Sequence, residues 1–233
     1  MSKKIIFSAT NKYIGAVAHK PKSAIKVMNE NYKSIGKYAN LEGLKHPVAT
    51  VKSCAPIFDS FALGYIVELW ADIMVTNGAD GKKILQTMQM AEEANIWAEW
   101  DASQISHFDF PPGFAKQVFK FQHGWIIRTP KGYSSVFTHP YGHPDLPIQT
   151  LTGYVDTDIL KTDANAPFMI REDFTGIIPK GTPMFQVFPV KRDSWKSIVI
   201  GGEEEEKIMN DKARLSTVFW GYYSSRRQRK VFK

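Results

Sequence analysis

Apolar positions follow two different periods along this chain. From Phe119 to Val190 they fall in short runs cut by Gly, Pro and Asp: FKFQ, WIIRTP, SSVFTHP, IQTLTGYVD, APFMIRE, GIIPKG and MFQVFPVK. Runs this short and this regularly interrupted predict the strands of a compact barrel or sandwich. Towards the C-terminus the period lengthens, with Ile208, Leu215, Phe219 and Tyr222 at helical spacing. Glu203 to Glu206 open that segment and Arg226 and Arg227 close it, the polarity that complements a helix dipole, so a helix is predicted over residues 203–226. A second helix is predicted over 83–97, where Ile84, Leu85, Met88, Ala91 and Ile96 fall on one side. Between Pro56 and Ile73 the first half reads as a short helix broken at Gly64, and YIVELWADI alternates as a strand does. In IPKGTP, Gly181 is expected at positive φ in a turn between two paired strands. The expected class is α+β, with a mainly-β core at 119–195, a mixed part at 1–118 packed on it, and a terminal helix with a basic tail at 196–233, together one compact domain.

Composition sharpens this picture. In 233 residues, 43% hydrophobic side chains and 13% aromatics suffice for a real core. The single cysteine, Cys54, excludes an intramolecular disulfide framework and any multi-Cys metal site, which suits a reducing compartment. With no neighbouring histidine it reads as a buried structural thiol. The apolar run Ile5 to Phe7 is too short for a signal peptide, and no run nears the ~20 residues of a membrane span, so a soluble intracellular protein without membrane contact is expected. The net charge of +7 is concentrated in RRQRKVFK, where Arg226, Arg227, Arg229, Lys230 and Lys233 have no acid among them. Such a tail predicts weak, non-specific nucleic-acid contact, or simply a solvated helix end. No P-loop, Gly-x-Gly-x-x-Gly or Gly-x-Ser-x-Gly pattern is present.

Two resemblances bear on function. LTGYVDTDILKTDANAPFMIREDFTGIIPKGTPMFQVFPV, with TPKGYSSVF upstream, resembles the third motif and following strands of the dUTPase and dCTP-deaminase superfamily. That resemblance implies a β-clip fold, or a small distorted barrel related to it. It also implies that Asp156 orients and deprotonates the water attacking a nucleoside triphosphate, while Mg²⁺ offsets phosphate charge. Tyr154 and Asp158 would line the ligand cleft, and Lys131, Lys191 and Arg192 would reach phosphate. The chain departs from the family where Ile159-Leu160-Lys161 stands for Tyr-Arg-Gly and THPYGHPDL for the Arg-Ser-Gly-Leu phosphate segment. Over a longer span, KSCAPIFDSFALGYIVELWADI, TPKGYSSVF, GYVDTD and KGTPMFQVFPVKRDSW together resemble an uncharacterised family found largely in bacteriophage genomes. This implies a setting in the host cytoplasm or the virion, and no particular chemistry.

The residues also allow blander readings. Asp156 and Asp158 can form a strand-ending Asx turn that bonds its own backbone. In KRDSW, Arg192 and Asp193 can pair locally while Trp195 closes the core. His107 and Asp109 spell the His-x-Asp of an Fe(II) oxygenase site, with His139 or His143 as third ligand, or else mark a loop in an aromatic cluster. Two functions of different class follow. One is a β-clip-like protein binding a nucleotide or similar small anion near Asp156, with doubtful hydrolysis. The other is a non-enzymatic phage protein contacting a host or virion protein, and either is compatible with a homo-oligomer.

Overall fold

The structure, a computed structural model of the full chain, describes residues 3–88, 96–199, 202 and 205–217. The central sheet orders Gly153–Val155 (β13), Tyr133–Thr138 (β11), Pro183–Lys191 (β16), Tyr65–Glu68 (β5) and Lys22–Ser23 (β2). A second sheet orders Ile148–Thr150 (β12), Ala166–Ile170 (β14), Phe119–Phe121 (β9) and Trp97–Glu99 (β8), and a third Gly176–Ile178 (β15), Ile73–Asn77 (β6) and Lys83–Thr87 (β7). Two ribbons pair Ile6–Ala9 (β1) with Trp125–Arg128 (β10), and Tyr38–Ala39 (β3) with Val48–Ala49 (β4). The helices are Lys12–Val17 (α1), Glu30–Ser34 (α2), Ala55–Ala62 (α3) and Glu205–Thr217 (α4). This is an α+β chain of mainly-β character, and the sheets do not close into a barrel.

The punctuated pattern of the second half forms the predicted strands, with IQTLTGYVD divided at Leu151 into β12 and β13. Their inward side chains fill one core in which Phe119, Phe121, Phe168 and Phe185 are each at most 1% exposed. A satellite cluster of Met28, Tyr32 and Ala62 lies under α3. Residues 1–118 do not merely pack on this core. β5 lies between β16 and β2, paired with β16 from Glu68↔Pro183 to Tyr65↔Val187 with a bulge between Pro183 and Phe185, so the N-terminal part supplies a central strand.

Both readings of Pro56 to Ile73 materialise in succession. Pro56 sits in the first turn of α3, where its missing N–H costs nothing. The helix ends before Gly64, whose φ of 71° and absent side chain are both required, because a Cβ there would lie 2.2 Å from the Val187 carbonyl oxygen. Strand β5 begins at the next residue.

The helix predicted over 83–97 is not formed at either end. Lys83–Thr87 is strand β7, paired with β6 from Ile73↔Thr87 to Asn77↔Lys83, and Trp97–Glu99 is strand β8, while residues 89–95 lie outside those described. Lys83 and Leu85 point inward and Ile84 and Gln86 outward, a period of two that the lone apolar pair Ile84-Leu85 conceals. The C-terminal helix is present as Glu205–Thr217, and the basic residues from Arg226 to Lys233 lie outside the described residues. Gly181 has φ 90°, as expected, and Thr182 N–H closes the turn on the Pro179 carbonyl at 3.1 Å. The strands it joins are not paired with each other, because β15 belongs to the third sheet and β16 to the central one.

Two side chains hold the layers together. Gln186, fully buried, donates from Nε2 to the carbonyls of Ser60, at 3.0 Å, and Leu63, and accepts the Tyr141 N–H at 2.9 Å. Lys83 is 3% exposed, and its ammonium donates to Asn77 Oδ1 and to the carbonyls of Glu172 and Phe174 at 2.7, 2.7 and 2.9 Å.

Candidate functional site around the Asp156 turn

The segment GYVDTD is the end of β13 and the turn after it. The N–H groups of Ile159 and Leu160 both donate to the Asp156 carbonyl at 2.9 Å, coiling the chain once beyond the strand. Asp156 Oδ1 accepts from Ser134 Oγ at 2.5 Å and from Arg192 Nη1 at 3.0 Å. Asp158 accepts the Gly132 N–H at 2.8 Å, and the Arg192 guanidinium meets both its oxygens, with Nη1 at 2.8 Å from Oδ1 and Nη2 bonded to Oδ2. Between the two acids, Thr157 is buried with its hydroxyl 2.8 Å from those of both Thr129 and Ser135. One arginine from the end of β16 thus clasps the turn after β13 across β11. Hydrogen bonds from Arg192 first, and then from the Gly132 N–H, hold the Asp158 carboxyl below the usual carboxylate range, and Asp158 raises Arg192 in return.

The two acids differ in access. The Asp158 side chain is 4% exposed with both oxygens taken, whereas Asp156 is 51% exposed. A Mg²⁺ ion, which the family resemblance implies, does not fit here. Of the four oxygens of these two acids only Asp156 Oδ2 takes no hydrogen bond among the described residues, and a cation on that single oxygen would be repelled by the adjoining guanidinium. The arrangement is that of a polar clasp joining three strands, in place of the self-bonded Asx turn. The local Arg192–Asp193 pair is not formed either. Asp193 pairs with Lys191 at 2.6 Å and holds its ammonium above the usual lysine range. Trp195, expected to close the core, is 91% exposed.

Of the remaining candidates, Tyr154 projects from β13 and is exposed, and Lys131 is exposed in the turn before Gly132, in no ion pair among the described residues. A cleft that shares Thr129 with the clasp has a volume of about 550 Å³ and is also lined by Lys3, Lys4, Phe7, Tyr65, Tyr133 and Pro189. The Lys3 ammonium lies 4.4 Å from the centre of the Tyr133 ring and bonds its hydroxyl. Phe7 and Tyr65 meet edge to face at 5.1 Å. Sequence reasoning missed this cleft. Its one signal was the lysine pair directly before the apolar run Ile5 to Phe7, whose last two residues open β1, which docks on β10.

The iron-site candidates are not brought together. His107 and Asp109 are exposed in the loop after a short 3-10 turn, and the described residues contain no cluster of three or more metal-ligating side chains. His143 is instead 3.0 Å from the Val27 carbonyl through Nε2, and His139 is 3.2 Å from the His143 carbonyl. Cys54 is half-buried and unpaired rather than fully buried. Among the described residues no helix is long and apolar enough to cross a membrane. No protein-family model matches the chain, and no curated protein matches it.

Proposed function

We propose that this protein binds a small anionic ligand with a planar ring, of the nucleotide class, without hydrolysing it, in the cleft beside the Asp156 turn. The observation that carries the reading is the lining of that cleft. Two ammonium groups, Lys3 and Lys4, border a wall of aromatic rings and Pro189 in a space of about 550 Å³, within the range that encloses small ligands. Cations give phosphate its counter-charge and the rings give a base its stacking surface. Against hydrolysis stands the clasp itself, because Asp156 shares an oxygen with Arg192 and Ser134 and no cluster of metal-ligating side chains adjoins it among the described residues.

Calorimetry and thermal shift with a panel of dNTPs, dNMPs and inorganic phosphate test this. Saturable binding that raises the melting temperature, and that the double variant Lys3→Gln/Lys4→Gln weakens, is the expected result. No binding across the panel, or binding indifferent to the two lysines, refutes it. Turnover of dUTP to dUMP abolished by Asp156→Asn would restore the hydrolase reading.

A second reading, contact with a host or virion protein, is favoured by the segment after β16. Residues 192–199 are exposed throughout, with Trp195 at 91% and Val199 at 97%, and exposed apolar groups in sequence suit a protein partner.

A further inference from the structure

The structure carries a second cleft, independent of the first, on the side of the loop between β11 and β12. Its volume is about 670 Å³, and the apolar side chains of Phe61, Phe114, Leu146 and Ile148 line it together with His143 and Arg171. The loop over it is built rather than slack. Tyr141 N–H is bonded to Gln186, and His139 receives the Thr150 N–H on Nδ1 at 3.3 Å while its Nε2 meets the His143 carbonyl. Gly142, at φ 78°, lies so close to Phe61 that a Cβ would stand 2.9 Å from the ring.

Several polar groups here are left with capacity. His143 donates Nε2–H to Val27, so the neutral ring presents Nδ1 as an acceptor, and nothing among the described residues bonds it. Burial keeps the imidazoles of His139 and His143 below the usual histidine range, hence neutral at pH 7. Arg171 meets Asp173 through Nε and Nη2 at 3.1 and 2.9 Å, leaving Nη1 without a partner among the described residues. Arg171 is the one fixed cation of this lining and is already paired with Asp173, so a triphosphate would find little counter-charge in this cleft. One carboxylate would find a donor, and a ring N–H would find His143.

We propose that this cleft is a ligand site for a planar heteroaromatic ring bearing an N–H donor and at most one carboxylate, with the ring on Phe61 and Phe114, its N–H to His143 Nδ1 and its carboxylate to Arg171. The assignment does not rest on the function proposed for the first cleft.

Indole-3-acetate is the probe, titrated into the full-length protein by calorimetry and by NMR of the His143 ring. Saturable binding with a shift of the His143 ring signals is expected. 1-Methylindole-3-acetate, which lacks the donor, should bind about fivefold more weakly, and Arg171→Met should weaken the acid about tenfold. Arg171 is partly exposed and paired only with its neighbour Asp173, so the variant should fold, which its melting curve checks. Lys3→Gln/Lys4→Gln should bind the probe as wild type does. Failure to saturate by roughly 10 mM, a level that leaves even weak millimolar contacts populated, overturns the proposal. So does binding indifferent to both N-methylation and Arg171→Met, and so does binding lost in the Lys3→Gln/Lys4→Gln variant, which would place the probe in the first cleft.

Discussion

Acid should destabilise this protein through one histidine. His123 is fully buried, ringed by Phe121, Phe137 and Phe185 at centroid distances of 6.1, 6.3 and 5.0 Å. Its Nδ1 accepts the Trp125 N–H at 3.0 Å, which places the ring proton on Nε2, and Nε2 has no partner in hydrogen-bonding geometry. Asp163 and the Ala164 carbonyl are near enough to favour the charged ring, but desolvation outweighs them and pushes the pKa down to about 4, from 6.5. Between those values the unfolded chain binds the proton and the folded chain does not, so stability is complete above pH 6.5 and is lost as pH falls towards 4. At 1.36 kcal/mol per pH unit the whole window is worth roughly 3 kcal/mol, of which roughly 2 fall between pH 7 and pH 5. That is a large fraction of the 5–15 kcal/mol typical of a domain. His139 and His143, also lowered by burial, add to the same slope. The decisive quantity is therefore the difference between wild type and His123→Gln, which keeps an acceptor for the Trp125 N–H and cannot titrate. Urea unfolding at pH 7 and pH 5 should show the wild type losing about 2 kcal/mol more than the variant over that interval. Equal losses in the two proteins, or a His123 ring signal that titrates near pH 6.5 in the folded state, would refute the reasoning.

Three further outcomes are expected. Lys83→Met should cost about 2–3 kcal/mol in denaturant unfolding, because the Asn77 side chain and the carbonyls of Glu172 and Phe174 lose the donor they share at a side chain only 3% exposed; a cost under ~0.5 would mean that water replaces the ammonium. Gly64→Ala should destabilise by at least about 2 kcal/mol through both its left-handed φ and its collision with Val187, while Gly132→Ala, at φ 84° with open space around it, should cost only the backbone share of about 1 kcal/mol; equal costs would show that the contact yields. Within the clasp, Arg192→Met should lower the melting temperature more than Asp156→Asn does, since it strands the buried carboxylate of Asp158 whereas Asp156 is half exposed; the reverse order would sink the clasp as a structural device.

Local pattern was enough to read the strands after Phe119, the helix broken at Gly64, the positive φ of Gly181 and a helix beginning near Glu205, because turn residues and strand alternation act within a few residues of themselves. At Lys83 to Thr87 the apolar spacing that runs on to Ile96 suggested a helix, and pairing with Ile73–Asn77 decided for a strand. The second sheet illustrates the same limit, since nothing near Trp97 announces that it will lie beside Phe121. Asp156 and Asp158 were legible as a polar turn at a strand end. Their partner was not, because Arg192 is 36 residues from one and 34 from the other and had a nearer acid, Asp193, on which to be guessed. Nothing in the residues beside His123 announces that it will be buried. Only the closing of Phe121, Phe137 and Phe185 around it removes the water that would have kept its pKa ordinary. Short-range sterics and alternation are written into neighbouring residues, whereas desolvation and charge pairing depend on which distant segments meet, and that is settled by the tertiary structure alone.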